Sequence, residues 1–175
     1  KVAPPPRAFT QATPQGEQAL QEAVGRALAG ADKVVDLFSG AGTLGLPLAE
    51  VAMLHCMEND LGLLEALAHG VRHTQGIKKV TTWARDLYRN PIDHTDLIKF
   101  NAAIIDPPRA GAEQQVRQLA QSNLRDIAMV SCNPVTFARD ANILCAGGYG
   151  LKWVEAVDQF RWSPHIEIVA HFSKA

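Results

Sequence analysis

Short apolar runs that stop abruptly at glycine, proline or acidic residues, alternating with stretches of helical periodicity, constrain this chain more than any other feature. The clearest run is residues 33–38, Lys-Val-Val-Asp-Leu-Phe, which breaks into Ser39-Gly40-Ala41-Gly42. Similar runs occupy residues 52–57, 79–83, 101–105 and 126–130, and two more close the chain at 151–157 and 166–172. Helical patterns fill residues 13–28, 43–51, 60–74, 113–121 and 136–145. Strands alternating with helices predict an α/β, Rossmann-like fold: a largely parallel sheet with helices on both faces. The last two strands have no long helix between them, which predicts an antiparallel end. Ligands in such sheets bind beyond the carboxyl ends of the strands.

With 175 residues the chain is long enough for one domain with a full core. Residues 1–8 begin Lys1-Val2-Ala3-Pro4-Pro5-Pro6 and read as a linker; with no initiator Met, the expectation is a C-terminal piece of a longer protein, its domain running from 9 to 175. A net charge of −1 neither supports nor excludes a nucleic-acid partner. No apolar run approaches the roughly 18 residues of a membrane span. Cys56, Cys132 and Cys145 are irregularly spaced, a poor disulfide framework and a poor metal site, so a cytoplasmic setting with no metal is expected.

Gly40-Ala41-Gly42-Thr43-Leu44-Gly45 satisfies the G-x-G-x-x-G pattern between a strand and a helix. The pattern serves a dinucleotide, or is simply a tight turn that needs glycine. Asp36 helps to decide, because a carboxylate four residues before Gly40 would repel a pyrophosphate. Glu58, Asp86 and Asp106 also sit at or just after strand ends, and Glu58 follows Asp36 by 22 residues, close to the roughly 20-residue offset of a ribose-binding acid. S-adenosylmethionine carries an ammonium, a sulfonium and a ribose diol without a phosphate, so it suits this set better than a nicotinamide dinucleotide does.

Asp106-Pro107-Pro108-Arg109-Ala110-Gly111 leaves a buried strand on a stiff backbone, either a simple terminator or a rigid wall beside a cofactor. Cys132, in Ser131-Cys132-Asn133-Pro134, sits past the fifth strand where the next helix begins. A thiol near a helix N-terminus is expected to have a lowered pKa and to act as a nucleophile. Cys56 and Cys145 read instead as core fillers. Carbon 5 of uracil is too electron-poor to take a methyl group directly. A thiolate added at carbon 6 makes carbon 5 nucleophilic, and a base must later remove its proton. Glu167 is an acid in an otherwise apolar strand, expected on the same side as His165; it is either that base, or paired, or on the polar face of an edge strand.

These pieces together resemble the S-adenosylmethionine-dependent RNA 5-methyluridine methyltransferases, over nearly the whole chain as that family's catalytic domain. The resemblance is carried by Phe9-Thr10-Gln11, Asp36-Leu37-Phe38-Ser39-Gly40-Ala41-Gly42-Thr43, Glu58, Asp106-Pro107-Pro108-Arg109-Ala110-Gly111, Ser131-Cys132-Asn133-Pro134 with Thr136-Phe137-Ala138-Arg139-Asp140, and His165-Ile166-Glu167. It implies the class I methyltransferase fold, a seven-stranded sheet with an antiparallel final strand. It implies Cys132 as nucleophile and Glu167 as base. Gln11, Asp36, Glu58 and Asp106 would contact the cofactor, joined by Phe38, Gly40, Gly42 and Asp86; Arg109, Asn133 and His165 would face the substrate. The family usually has F-P-x-T before the final His, whereas here Phe160 is followed by Arg161-Trp162-Ser163-Pro164. An N-terminal RNA-binding part, in some members with an iron–sulfur cluster, is expected outside this chain.

The substrate expected is RNA, ribosomal ahead of transfer RNA, and the protein a monomer. Arg161 and Trp162 offer a cation and a stacking face for it. The competing readings are methylation of an exocyclic amine or small molecule, which needs no thiol, and a non-catalytic module that binds RNA or cofactor.

Overall fold

The computed structural model describes residues 1–175 except Lys1, Ala3, Pro4, Arg7, Arg161, Pro164 and Ala175. The linker expectation at Lys1, Ala3, Pro4 and Arg7 and the RNA-facing role of Arg161 thus lie outside the described residues. Helix α1 spans Pro14–Ala27 because Thr13 caps it, accepting from Gly16 N, and Pro14 fills a first-turn position where an N–H is not needed. Its Leu20, Ala23, Val24 and Ala27 recur at helical spacing and are all buried. Strand β1 (Lys33–Leu37) is followed by β2 (Met53–Glu58), α2 (Leu61–Arg72) and β3 (Val80–Ala84). Then come β4 (Ala102–Ile105), α3 (Glu113–Gln121), β5 (Asp126–Ser131), α4 (Pro134–Ala146), β6 (Gly150–Val157) and β7 (Glu167–Ser173).

The seven strands form one sheet in the order β3-β2-β1-β4-β5-β7-β6. Pairs among β1 to β5 are parallel, and β7 runs antiparallel to both β5 and β6. The antiparallel end expected from the missing helix is therefore present. Alternation along the strands feeds two cores. Val34, Leu54, Ile104, Val130 and Val169 pack with Leu20 and Val24 of α1 and Leu67 of α2. Val35, Met57, Ile105, Met129 and Phe172 pack with Val116 and Leu119 of α3 and Leu144 of α4. Chain order reverses between β1 and β4, and that divergence opens a crevice at their carboxyl ends.

Three expectations are corrected here. Residues 43–51 do not form an α-helix; turns lead into a 3-10 helix, Leu46–Glu50. Pro47 has no N–H to donate to Thr43 O, which instead accepts from Gln21 Nε2 at 2.9 Å. Leu48 N then reaches back only to Gly45 O, at 2.9 Å. Secondly, β7 is not an edge strand, since it is paired on both sides. Thirdly, Cys145 is exposed near the end of α4 rather than in the core, whereas Cys56 is buried as expected. Within the lead-in, Val2 packs on the core beside α2, and a Cβ on Gly70 would lie 3.4 Å from its Cβ.

Candidate active site

The glycine loop is shaped by two hydrogen bonds from its amides: Gly42 N donates to Ser39 O at 2.8 Å, and Gly40 N donates to the Glu58 side chain, at Oε2, at 3.0 Å. Gly42 holds φ at 82°, and a Cβ there would lie 2.7 Å from Leu67 Cδ1. That glycine therefore serves the close packing of the loop on α2, and it does not border the cavity. Glu58 Oε1 accepts from Asn59 N and Asp60 N, which pins the carboxylate at the end of β2. Asp60 in turn caps α2 through Gly62 N and Leu63 N.

At the end of β3 the chain makes an Asx-type turn, with Asp86 Oδ1 accepting from Tyr88 N at 3.0 Å and Arg89 N at 3.2 Å. Buried Gln115 of α3 clamps the end of this loop, accepting from Ile92 N at 2.8 Å and donating to Ile92 O at 3.2 Å. Phe38 adopts φ 61° and packs against Tyr88 with the rings tilted by 56° and their centroids 5.4 Å apart.

The two most specific sequence motifs hold each other. Asn133 Nδ2 donates to Arg109 O at 3.1 Å, Arg139 Nη2 to Ala110 O at 3.3 Å, and Ala112 N to Asp140 Oδ2 at 3.1 Å. A Cβ on Gly111 would lie 2.7 Å from Asp140 Oδ2, so the loop needs glycine there. Ser131 Oγ accepts from Asn133 N and donates to Asn133 O, both at 3.2 Å, which leaves Cys132 at the tip of the turn. Asn133 also caps α4 through Val135 N at 3.0 Å. Its place is thus structural, holding the loop before and the helix after, and it does not line the cavity.

Gln11, Asp36, Phe38, Gly40, Glu58, Asp86, Asp106, Arg109, Cys132 and Glu167 border one cavity of about 540 Å³. His165 does not; it is exposed, precedes the first residue of β7, and places Nδ1 3.2 Å from Arg109 Nη1. The expected shared side with Glu167 is therefore not realised within the strand. Trp162 is fully exposed. Sequence reasoning missed several walls: Phe9, Thr10, Leu63, Arg85, Leu87 and Tyr88. Residues 85–88 follow β3 directly, so the strand-end rule that found Asp86 would have found them. Leu63 carries no local signal; it arrives with the first turn of α2.

The cavity concentrates acid. Burial, then Asp106 and Glu58, push the Asp36 carboxyl up to about 8. Burial, then Glu167, push Asp106 up to about 7, and burial raises Glu167 as well. The Cys132 thiol is also raised, by burial first and then by Glu167 and Asp106, with Arg109 pulling the other way. The expected lowering is thus overturned: the helix N-terminus is present, but burial outweighs it, and Glu167 and Asp106 add to the push. Asp36 Oδ2 is buried with no hydrogen-bond partner among the described residues. Such a group calls for a donor or a cation from a ligand.

A seven-stranded sheet in this order, with an acid-lined crevice at its switch point, defines the class I S-adenosylmethionine-dependent methyltransferase fold. The solved tRNA (uracil-54, C5)-methyltransferase of Pyrococcus abyssi, in complex with S-adenosyl-L-homocysteine, superposes with a TM-score of 0.82 at 28% identity, over 95% of this chain and 40% of that one. Residues 52–175 match the model of the tRNA (Uracil-5-)-methyltransferase family, and the chain belongs to that family. An uncharacterised RNA methyltransferase of Mesorhizobium japonicum is 50% identical over 99% of this chain and 42% of its own length. The 23S rRNA (uracil(1939)-C(5))-methyltransferase of Hahella chejuensis is 34% identical over 82% of this chain and 33% of its own. The chain thus spans about two fifths or less of these relatives' lengths.

Proposed function

We propose that this chain is the catalytic part of an RNA methyltransferase that moves a methyl group from S-adenosylmethionine to carbon 5 of a uridine, with 23S rRNA as the first substrate to test. The observation that carries the reading is the meeting of Cys132 and Glu167, 35 residues apart in sequence, in one cavity with Gln11, Asp36 and Glu58. Family membership supports the uracil chemistry. The 34% identity to a 23S rRNA enzyme supports testing that RNA first.

The residues present fit the cofactor. The unpartnered Asp36 Oδ2 suits its ammonium, and Gly45 leaves that carboxylate room, since a Cβ there would lie 3.1 Å from Asp36 Cγ. Glu58, at the end of β2 and on the cavity wall, suits a ribose diol, and Asp86, Leu87 and Tyr88 border the cavity beyond β3. When bound, S-adenosylmethionine supplies an electrophilic methyl group and positive charge beside these acids.

The Cys132 sulfur, as thiolate, forms a bond to carbon 6 of the uracil, and the electron pair displaced makes carbon 5 a nucleophile for the methyl group. Glu167 then takes the proton from carbon 5, the pair returns to the ring, and the carbon–sulfur bond breaks to release the thiolate. Burial raises Glu167, which makes its carboxylate a better proton acceptor than an exposed one. Burial, then Glu167 and Asp106, raise the Cys132 thiol, so cationic charge in the cavity favours the thiolate. Arg109, bordering the same cavity, supplies part of it.

The test uses full-length protein, S-adenosylmethionine and a 23S rRNA fragment carrying 5-fluorouridine. Fluorine at carbon 5 cannot leave as a proton, so a covalent protein–RNA adduct should accumulate on the peptide holding Cys132 and vanish in Cys132→Ala. Methylation of natural RNA without any adduct would move the reaction to an exocyclic amine.

A further inference from the structure

Gln159 lies just past β6 on the loop that leads to Glu167, yet it is only 7% exposed. Its Nε2 donates to Gln11 Oε1 at 2.6 Å, the one side-chain hydrogen bond that either makes among the described residues. Gln11 borders the cavity. The space for Gln159 is made by Gly16, in the first turn of α1, where a Cβ would lie 2.8 Å from Gln159 Cβ. Glycine is a poorer helix former than alanine, so its presence in that turn has a packing reason. Gln159 Oε1 is itself buried without a partner among the described residues. The bond to Gln11 thus engages only the amide nitrogen, while the oxygen lies against Gly16.

We infer that Gln159 is a positioning residue that fixes which end of the Gln11 amide faces the cavity, giving an acid-lined pocket the donor it needs for a ligand's carboxylate. This rests on the cofactor reading above. A primary amide has one accepting and one donating end. Gln159 engages the accepting Oε1, so Gln11 Nε2 remains to serve the cavity. The opposite orientation would add another acceptor to a wall that already holds Asp36, Glu58 and Asp106, and it would repel a carboxylate. The amino-acid group of S-adenosylmethionine carries both charges: acids suit its ammonium, and only a donor suits its carboxylate. Gln159 thereby tunes the pocket for a ligand bearing an intact amino acid over the same nucleoside without one.

Calorimetric binding of two ligands to the full-length protein tests this: S-adenosylhomocysteine, which has the amino-acid group, and 5′-methylthioadenosine, which lacks it. Gln159→Leu should weaken S-adenosylhomocysteine roughly tenfold, as expected for losing one hydrogen bond to a charged group. Binding of 5′-methylthioadenosine should not change, which also shows that the variant is folded. Gly16→Ala, which pushes on Gln159 from the far side, should move the ratio of the two affinities the same way. Adding Gln11→Ala to Gln159→Leu should cost little more than Gln11→Ala alone. An unchanged affinity for S-adenosylhomocysteine in Gln159→Leu overturns the inference, and so does an equal loss for both ligands, which marks a general structural role. A wild-type protein that binds neither ligand removes the cofactor reading itself, and this inference with it.

Discussion

Arg109 Nη1 lies 3.2 Å from His165 Nδ1, so the loop after β4 and the approach to β7 are joined at the rim of the cavity that holds Cys132. The guanidinium donates and the ring nitrogen accepts, which helps to hold Arg109 on the cavity wall that it shares with Cys132. Arg109 opposes the upward push of burial, Glu167 and Asp106 on the thiol. In Arg109→Ala the thiol should therefore titrate at higher pH. Iodoacetamide labelling of the Cys132 peptide, followed by mass spectrometry across pH, should show the reactivity profile displaced upward. An undisplaced profile would mean that Arg109 does not act on the thiol.

Glu167→Gln should remove proton abstraction while leaving thiol addition possible. General-base removal typically costs about 10²–10⁴-fold in rate. The variant should lose turnover to that extent and accumulate a covalent adduct with natural RNA, without fluorine. Removing the Glu167 charge should also lower the Cys132 thiol, because Glu167 is the first carboxyl that raises it. Denaturing gel electrophoresis of protein with labelled RNA reads the adduct directly.

The stability of the ligand-free protein should fall as pH rises. Asp36 moves from 3.8 to about 8, and Asp106 from 3.8 to about 7. A carboxyl raised in the folded state binds its proton more tightly there than when unfolded. Its contribution is fully present below about pH 4 and is lost as pH climbs through 7 to 8. Asp36→Asn should flatten this slope and stabilise the ligand-free protein at pH 8 by more than about 1 kcal/mol. Urea unfolding from pH 5 to 9 measures it. A cationic ligand should release protons near pH 7, seen as a dependence of binding enthalpy on the buffer.

Gln115→Leu should loosen the wall beyond β3. The substitution strands Ile92 N and Ile92 O, both paired by that one buried side chain. Stranding buried backbone groups costs about 1–3 kcal/mol each, part of which relaxation recovers. A loss of about 2–4 kcal/mol in unfolding free energy is expected, with faster amide exchange confined to residues 85–92. Loss spread evenly over the sheet would mean that the clamp does not act locally.

Much of the fold could be read from local pattern. Helix α3 has the expected bounds, and the strands fall within a residue or two of expectation, because apolar period and turn chemistry are properties of neighbouring residues. Residues 43–51 failed because one missing N–H, at Pro47, outweighs a helical pattern, and because Gln21, far away in sequence, takes the orphaned carbonyl. Asn133 was expected to face the substrate, because neither its cap of α4 nor its grip on Arg109 O could be seen without the fold.

Local pattern was enough to give the alternation of strand and helix, the glycine loop, and the candidates for chemistry: Asp36, Glu58, Asp106, Cys132 and Glu167. The tertiary structure alone decided which of them meet and what field they make for one another. Gln11 and Gln159 are 148 residues apart and share a bond. The Cys132 thiol, next to a helix start, is raised rather than lowered. Backbone pattern is set by neighbours along the chain, but desolvation and charge act through space, and their sign depends on which distant carboxyl groups the fold brings to the same cavity.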